Sequence, residues 1–424
     1  MTRSVFGLNL DPLRNSQSYR RLYVAGGVTA IGNQATYVTL PFQLKVLTHS
    51  TLAAGLLGLV EVAPLVLFGL YGGVLADSLD RRRLVIGSEA LLMLTSLILL
   101  VNASLPHPKA WVIYIVAMLV AALDGVQRPS LDAVNQSLVS HELQREAATL
   151  GTLRWTTASI IGPVVGGLLA VSAGPWAVYG LDVATFLVSL VLLSRITVST
   201  VLPVSGKPDF GTLVLGVRYA ASRPDLIGTY LVDLAAMIFA FPVAMMPFVA
   251  DRFHVHYALA LLYCGLPVGA LVGSLTSLWT QRVSRYGKAI VVAAAGWGLG
   301  IAVFGSVNSL FLALLGLIVA GWADAISAIF RSTMWNESIP LEVRGRMAGI
   351  ELISYSLGPT AGQFRSGLMA SLTSLRISLT VGGLVCTGAC VTLAAALPSM
   401  WRFDARTNPD VLAQKIARGN ETAS

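Results

Sequence analysis

The chain has 424 residues, of which 55% are hydrophobic and only 12% are Asp, Glu, Lys or Arg. Soluble domains carry about a quarter of their residues as charge; half that density cannot coat a globule of this length, which excludes a soluble enzyme and leaves an all-α membrane protein. The net charge of +8 does not point to nucleic acid, because the basic residues are sorted by side of a membrane and not gathered into one patch.

Twelve apolar runs reach the roughly 20 residues that a helix needs to cross hydrocarbon. The first six are Arg21–Leu47, Leu52–Ala76, Leu84–Ser104, Ala110–Leu138, Ala147–Ala173 and Pro175–Ile196. A polar gap, Thr197 to Asp225, carries Pro203, Lys207, Pro208 and Arg223; within it Phe210 to Ala221 reads either as a short amphipathic helix on the membrane surface or as a linker. The last six are Leu226–Ala250, Tyr257–Thr280, Ala289–Val307, Leu310–Met334, Met347–Ser371 and Leu375–Leu397.

Lys45, Lys109, Arg252 and Arg376 fall near external helix ends and Arg365 inside a span, whereas the other 24 of the 29 Lys and Arg fall in alternate connections and at the termini. That asymmetry predicts both termini on the cytoplasmic side of a plasma (inner) membrane. The N-terminal arginines are followed by no small-residue cleavage site, so the first span is expected to stay as an anchor. The predicted organisation is a cytoplasmic segment over 1–20, a six-helix bundle over 21–198, a cytoplasmic linker over 199–225, a second six-helix bundle over 226–399 and a cytoplasmic tail over 400–424.

The two halves echo each other. Gly73 pairs with Gly273, Glu142 with Glu342, and Gly162-Pro163 with Gly358-Pro359, at offsets of 200, 200 and 196 residues. A shared offset points to a duplicated six-helix unit, a common plan among secondary transporters.

Between the second and third spans the chain reads Gly73-Val74-Leu75-Ala76-Asp77, then Arg81-Arg82-Arg83. On these residues the full-length chain resembles the major facilitator superfamily, in the subgroup of siderophore exporters and drug-efflux proteins. Leu47-Thr48-His49-Ser50-Thr51 and Leu123-Asp124-Gly125 add to the similarity. Ser78 stands where that family usually has a basic residue, and Asp80 where it usually has glycine. The resemblance implies twelve helices in two pseudo-symmetric bundles that rock about a central cavity. It also places Asp77 against the N-terminus of the eleventh helix, where a carboxylate complements the dipole. With Gly73, Arg81, Arg82 and Asp132 it forms an expected cytoplasmic gate; the alternative is that the arginines only enforce topology.

The fifth span holds Gly162-Pro163-Val164-Val165-Gly166-Gly167. Proline bends a helix and small residues admit a neighbouring backbone, so a packing kink accounts for the motif. The resemblance adds a direction: in that family the Gly-Pro-x-x-Gly-Gly element accompanies exporters that exchange substrate for an ion.

Ionisable residues at membrane depth are functional candidates. Glu61 and Asp233 are the first candidates for proton coupling, since a carboxylate out of water exchanges a proton more readily near neutral pH. Asp124 and Asp324 hold similar places in the two halves and read as structural, and Asp182 and Glu351 also lie in or near spans. Arg154 and Arg365 would meet an anionic substrate or neutralise an acid. Asn33, Gln34, Tyr37, Trp155, Trp322 and Tyr355 would suit an amphipathic ring-bearing ligand, against the alternative of lipid contact or an interfacial belt.

Cys264, Cys386 and Cys390 read as buried small hydrophobes, and His254-x-His256 as a bare loop or a weak metal site, so no metal is expected. With no P-loop lysine motif and no hydrolase triad order, no cofactor is expected and the energy source is a proton gradient. The expected partners are a small-molecule substrate and the lipid bilayer, not nucleic acid, and a monomer is expected. The resulting expectation is a proton-coupled exporter of a siderophore or related small organic molecule. The alternatives are a broad multidrug (macrolide-like) efflux transporter tied to drug resistance, and a non-transporting membrane sensor or scaffold.

Overall fold

The computed structural model describes residues 9–78, 80–197 and 222–421, with the side chains of 70–78, 341–355, 415 and 417–421 outside the description. Over these residues the chain is helical, without strands. The long helices are α1 (Gln17–Thr48), α2 (Thr51–Ser78), α3 (Arg81–Ser104), α4 (Ala110–Ser137), α5 (Gln144–Ser172) and α6 (Pro175–Ser194). They continue with α7 (Pro224–Ala240), α8 (Ala258–Leu275), α9 (Tyr286–Ser306), α10 (Leu310–Ser338), α11 (Leu341–Leu372) and α12 (Leu375–Ala396), followed by α13 (Pro409–Glu421).

Local chemistry sets the boundaries. The Ser16 hydroxyl accepts from Tyr19 N–H at the start of α1, and Ser374 does the same for Ile377 at the start of α12. His49 takes a left-handed conformation that ends α1, its N–H donating to Lys45 C=O. Gly174, at φ +99°, turns the chain into Pro175 at the first position of α6. Asp80, the departure from the family's glycine, caps α3 by accepting from Arg83 N–H at 3.1 Å.

Ten of the helices are long and apolar enough to cross a membrane among the described residues. α1 and α11 have 32 residues each, about 48 Å of helix, which is ample length. Both carry more polar side chains than the other ten.

The burial pattern is that of a lipid-embedded helix, polar inside and apolar outside. On α3, Ser88, Glu89, Thr95, Ser96 and Asn102 are buried while Leu91, Leu94, Leu97, Ile98 and Val101 are exposed. A soluble helix inverts that pattern.

The chain divides into two compact units, residues 1–208 with 255–264, and residues 209–254 with 265–424. The sequence-based division does not place the start of α8, residues 258–264, with the first unit. Within each unit the same pairs of helices pack. α1 contacts α5 and α6, α2 contacts α4, and α3 contacts α4 and α6; in the second unit α7 contacts α11 and α12, and α9 contacts α10 and α12. α8 lies against α10 through Gly269 and Gly273, as α2 lies against α4 at Gly125.

Four local expectations change. The seventh span is not continuous: α7 ends at Ala240, Phe241 is extended before Pro242, and the chain resumes as a 3-10 turn and a short helix, Met246–Ala250. The residue before a proline avoids the helical region. The eighth span ends at Leu275 and continues as a 3-10 segment, Ser277–Arg282. The tail contains α13, whose Val411 is buried and whose Asp410 pairs with Arg223 at 3.1 Å. Arg128, Arg154 and Arg331, counted by sequence with the connections, lie well inside α4, α5 and α10, because these helices run past the hydrocarbon length. Phe210 to Ala221 lies outside the described residues.

Candidate functional site

In the first unit the interior of α1, α3, α4 and α6 is a continuous set of polar contacts. Tyr179, Asp182, Phe186 and Ser189 recur at helical spacing on the buried face of α6. Tyr179 donates its hydroxyl to Gln43 Oε1 at 2.7 Å. Asp182 Oδ2 accepts from Thr36 at 2.8 Å and from Ser96 at 2.7 Å, which joins α6 to α1 and α3. Ser189 donates to Glu89 Oε1 at 2.5 Å, and Gln127 of α4 donates to Glu89 Oε2 at 2.7 Å. Sequence reasoning missed Glu89, although a lone acid in the apolar run of the third span is itself a signal.

Glu61 of α2 and Asp124 of α4 are close enough to interact electrostatically, and Arg128, one turn after Asp124, acts on that acid. Asp132 is exposed on α4, with Arg128 and Arg154 as its cationic neighbours. Arg154 also lies over the Tyr23 ring, 5.7 Å from its centre, and fills the space beside Gly26 and Gly27. Arg82, expected in the gate, donates to Ser194 C=O at 2.7 Å, and Arg21 reaches Arg195 C=O at 2.5 Å. These guanidinium groups sit at the C-terminus of α6, where cations complement the helix dipole. The side chains of Asp77 and Tyr355 and the surroundings of Gly73 lie outside the described residues, and with them the expected contact of Asp77.

The second unit treats its charges differently. Asp233 forms an ion pair with Arg331 of α10, both largely buried, and Arg331 acts on Asp324 as well. For Asp233 the alternatives are proton coupling and a structural pairing role, and Arg331 is the guanidinium partner it has. Among the described residues Arg365 has no acid partner and is partly buried. Its donors reach Ile238 C=O at 3.2 Å, Phe239 C=O at 2.5 Å and Ser378 C=O at 3.1 Å. The break in α7 frees main-chain carbonyls, and Arg365 satisfies them while tying α11 to α7 and α12.

The helix-five glycines bring backbones together. A methyl at Gly162 would collide with Gln34 and Ile31 of α1, at Gly166 with Ala35, and at Gly167 with Ala260. Gly358 and Gly362 of α11 meet Met237 of α7 in the same manner. Both glycine pairs recur at the offset of 196 seen for Gly162-Pro163. Among the cavity candidates, Asn33 and Trp155 are exposed and Tyr37 neighbours Tyr263. Trp322 donates to Thr276 at 3.1 Å. Cys386 and Cys390 are buried, and among the described residues no group of three metal-binding side chains occurs.

Two helical units with repeated pairings and ionisable interiors define a secondary transporter of the major facilitator class, not an enzyme. Solved structures share this fold. The nucleoside transporter NupG aligns with a TM-score of 0.71 at 16% identity over 91% of this chain and 100% of that chain. A POT family transporter in complex with 5-aminolevulinic acid aligns with a TM-score of 0.74 at 11% identity over 94% and 98%.

A family model described as transmembrane secretion effector matches residues 8–419, and the chain belongs to that family. It is 28% identical over 420 residues to the enterobactin exporter EntS of Shigella flexneri, covering 97% of this chain and 99% of that protein. It is 29% identical to EntS of Citrobacter koseri over 401 residues, 93% of this chain and 95% of that one. The protein is thus a multi-pass integral membrane transporter of small molecules.

Proposed function

We propose that the protein exports a siderophore or a related small organic molecule from the cytoplasm by proton antiport, with no cofactor and with two six-helix halves alternating access to the cargo. The carrying observation is its full-length similarity to enterobactin exporters. The Gly162-Pro163-x-x-Gly166-Gly167 element supports outward direction, through its family association with exchange. The distribution of Lys and Arg supports a plasma (inner) membrane location with both termini cytoplasmic. Asp124, Glu61 and the Asp233–Arg331 pair supply ionisable groups at membrane depth. The cytoplasmic gate of Gly73, Asp77, Arg81, Arg82 and Asp132 is proposed to open in the inward-facing state, and the monomer is the working unit.

The test is deletion of the gene, followed by mass spectrometry of cells and medium under iron limitation. Export predicts intracellular accumulation of a siderophore and its depletion outside, reversed by the wild-type gene. Unchanged partition would overturn the proposal. Accumulation of unrelated hydrophobic compounds would replace the siderophore with a multidrug cargo.

A further inference from the structure

Asp182 lies at the meeting of α6, α1 and α3 and is 1% exposed. Its two oxygens are treated differently. Oδ2 accepts hydrogen bonds from Thr36 and Ser96, whereas Oδ1 is buried and has no hydrogen-bond partner. Oδ1 faces the backbone of α1 at Gly32, where any side chain would collide with it and with Thr185 Oγ1. A glycine there lets the carboxyl group sit against the helix.

Among the described residues, the titratable groups acting on Asp182 are Glu89 of α3 and Tyr179, one turn earlier on α6. α1 and α5 supply none. Glu89 in turn acts on Asp124. No Lys or Arg acts on either Asp182 or Glu89 among the described residues. This arrangement has a chemical meaning. A buried carboxylate without a counter-ion is costly, and a proton removes that cost. Two hydroxyl donors on one oxygen stabilise the anion when the proton leaves. The second oxygen accepts no hydrogen bond, and Thr185 Oγ1 lies on the same side of Gly32 with its own hydrogen given to Asp182 C=O, so that hydroxyl oxygen can accept from a proton on Oδ1.

We infer that Asp182 is a proton-binding site, loaded on Oδ1 and coupled through charge to Glu89. Loading forms one O–H bond on Oδ1 and breaks none in the protein, the proton coming from water. Thr36 and Ser96 keep donating to Oδ2 in both states. The inference rests on the proposed proton coupling and moves it from Glu61 and Asp233 to the α1–α3–α6 contact. Two acids that sense each other titrate as a pair, so loading Asp182 changes the charge felt at Glu89 and along α4 at Asp124.

The experiment is infrared difference spectroscopy of the full-length protein in liposomes across a pH titration, following the carbonyl stretch of protonated carboxyl groups. Asp182→Asn, close in shape to the neutral acid, is expected to lose one titrating band while remaining monodisperse. Thr36→Val with Ser96→Ala removes both donors to the anion, so the band is expected to persist to higher pH. An unchanged set of bands in Asp182→Asn, or an unmoved midpoint in the double variant, overturns the inference.

Inverted vesicles with a trapped pH dye and enterobactin as probe separate this from the transport reading. If the wild type shows no enterobactin-dependent proton movement but the Asp182 band is present, proton coupling to that cargo fails and the site stands. If proton movement is present and the band is unaltered in Asp182→Asn, the site fails and the coupling stands.

Discussion

The two units share their helix pairings and even the offset of their packing glycines, yet they handle buried charge in opposite ways. In the first unit, Glu89 and Asp182 are held by hydroxyl and amide donors with no basic partner among the described residues. In the second unit, Asp233 is matched by Arg331, and Arg365 is committed to main-chain carbonyls. A duplicated scaffold fixes where helices touch; it leaves open which side chains fill the contacts. The pairing in the second unit holds helices together, and the unpaired acids of the first are free to change charge.

Substitutions that exchange these roles test the contrast. The largest effect is expected for Arg331→Gln, which strands Asp233 and should lower stability by about 3–5 kcal/mol. Thermal unfolding in detergent should show Asp233→Asn with Arg331→Gln recovering much of the loss. Asp182→Asn should change stability by less than about 1.5 kcal/mol, since hydroxyl donors can turn to serve an amide. Equal losses at the two sites would erase the distinction.

Arg365→Met comes next. It leaves the carbonyls at the end of α7 without donors, at about 2–3 kcal/mol, and should raise hydrogen exchange there. The matched glycines should behave alike: Gly166→Ala and Gly362→Ala each press a methyl on a backbone, costing about 1–3 kcal/mol. A large loss in one and none in the other would break the parallel between α1–α5 and α7–α11.

The smallest effect concerns a surface carboxylate near the end of the second unit. The N–H of Arg406, with help from Ser284 and Arg285, holds the Asp404 carboxyl below its ordinary range. A lowered folded-state value means the contribution is complete above about pH 4 and fades as pH falls through that value. The melting temperature on acidification should fall slightly more for the wild type than for Asp404→Asn.

Helix number and the duplicated plan were legible because lipid demands long apolar runs and the Gly-Pro motifs repeat at one spacing. Asp124 and Asp324 were visible for the same reason. The break at Phe241 was less legible, since Pro242 in an apolar run marks a kink but not where freed carbonyls find donors. Arg365 supplied that answer from 126 residues beyond Phe239 in sequence. Glu89 was legible and overlooked; the pairing of Asp233 with Arg331 was not, because it depends on which faces of α7 and α10 meet. α13 escaped notice because its thirteen residues hold no long apolar run, with Asp410, Gln414, Lys415, Arg418, Asn420 and Glu421 spread through them.

That last helix bears on how the protein is handled. Arg223 holds Asp225 at 2.7 Å and Asp410 at 3.1 Å, so the entry to α7 and the start of α13 share one guanidinium. Trimming the chain before Asn408, or fusing a bulky reporter there, would unfasten the doorway through which the polypeptide enters its second unit. An affinity tag belongs after the final turn, where it leaves that clasp closed.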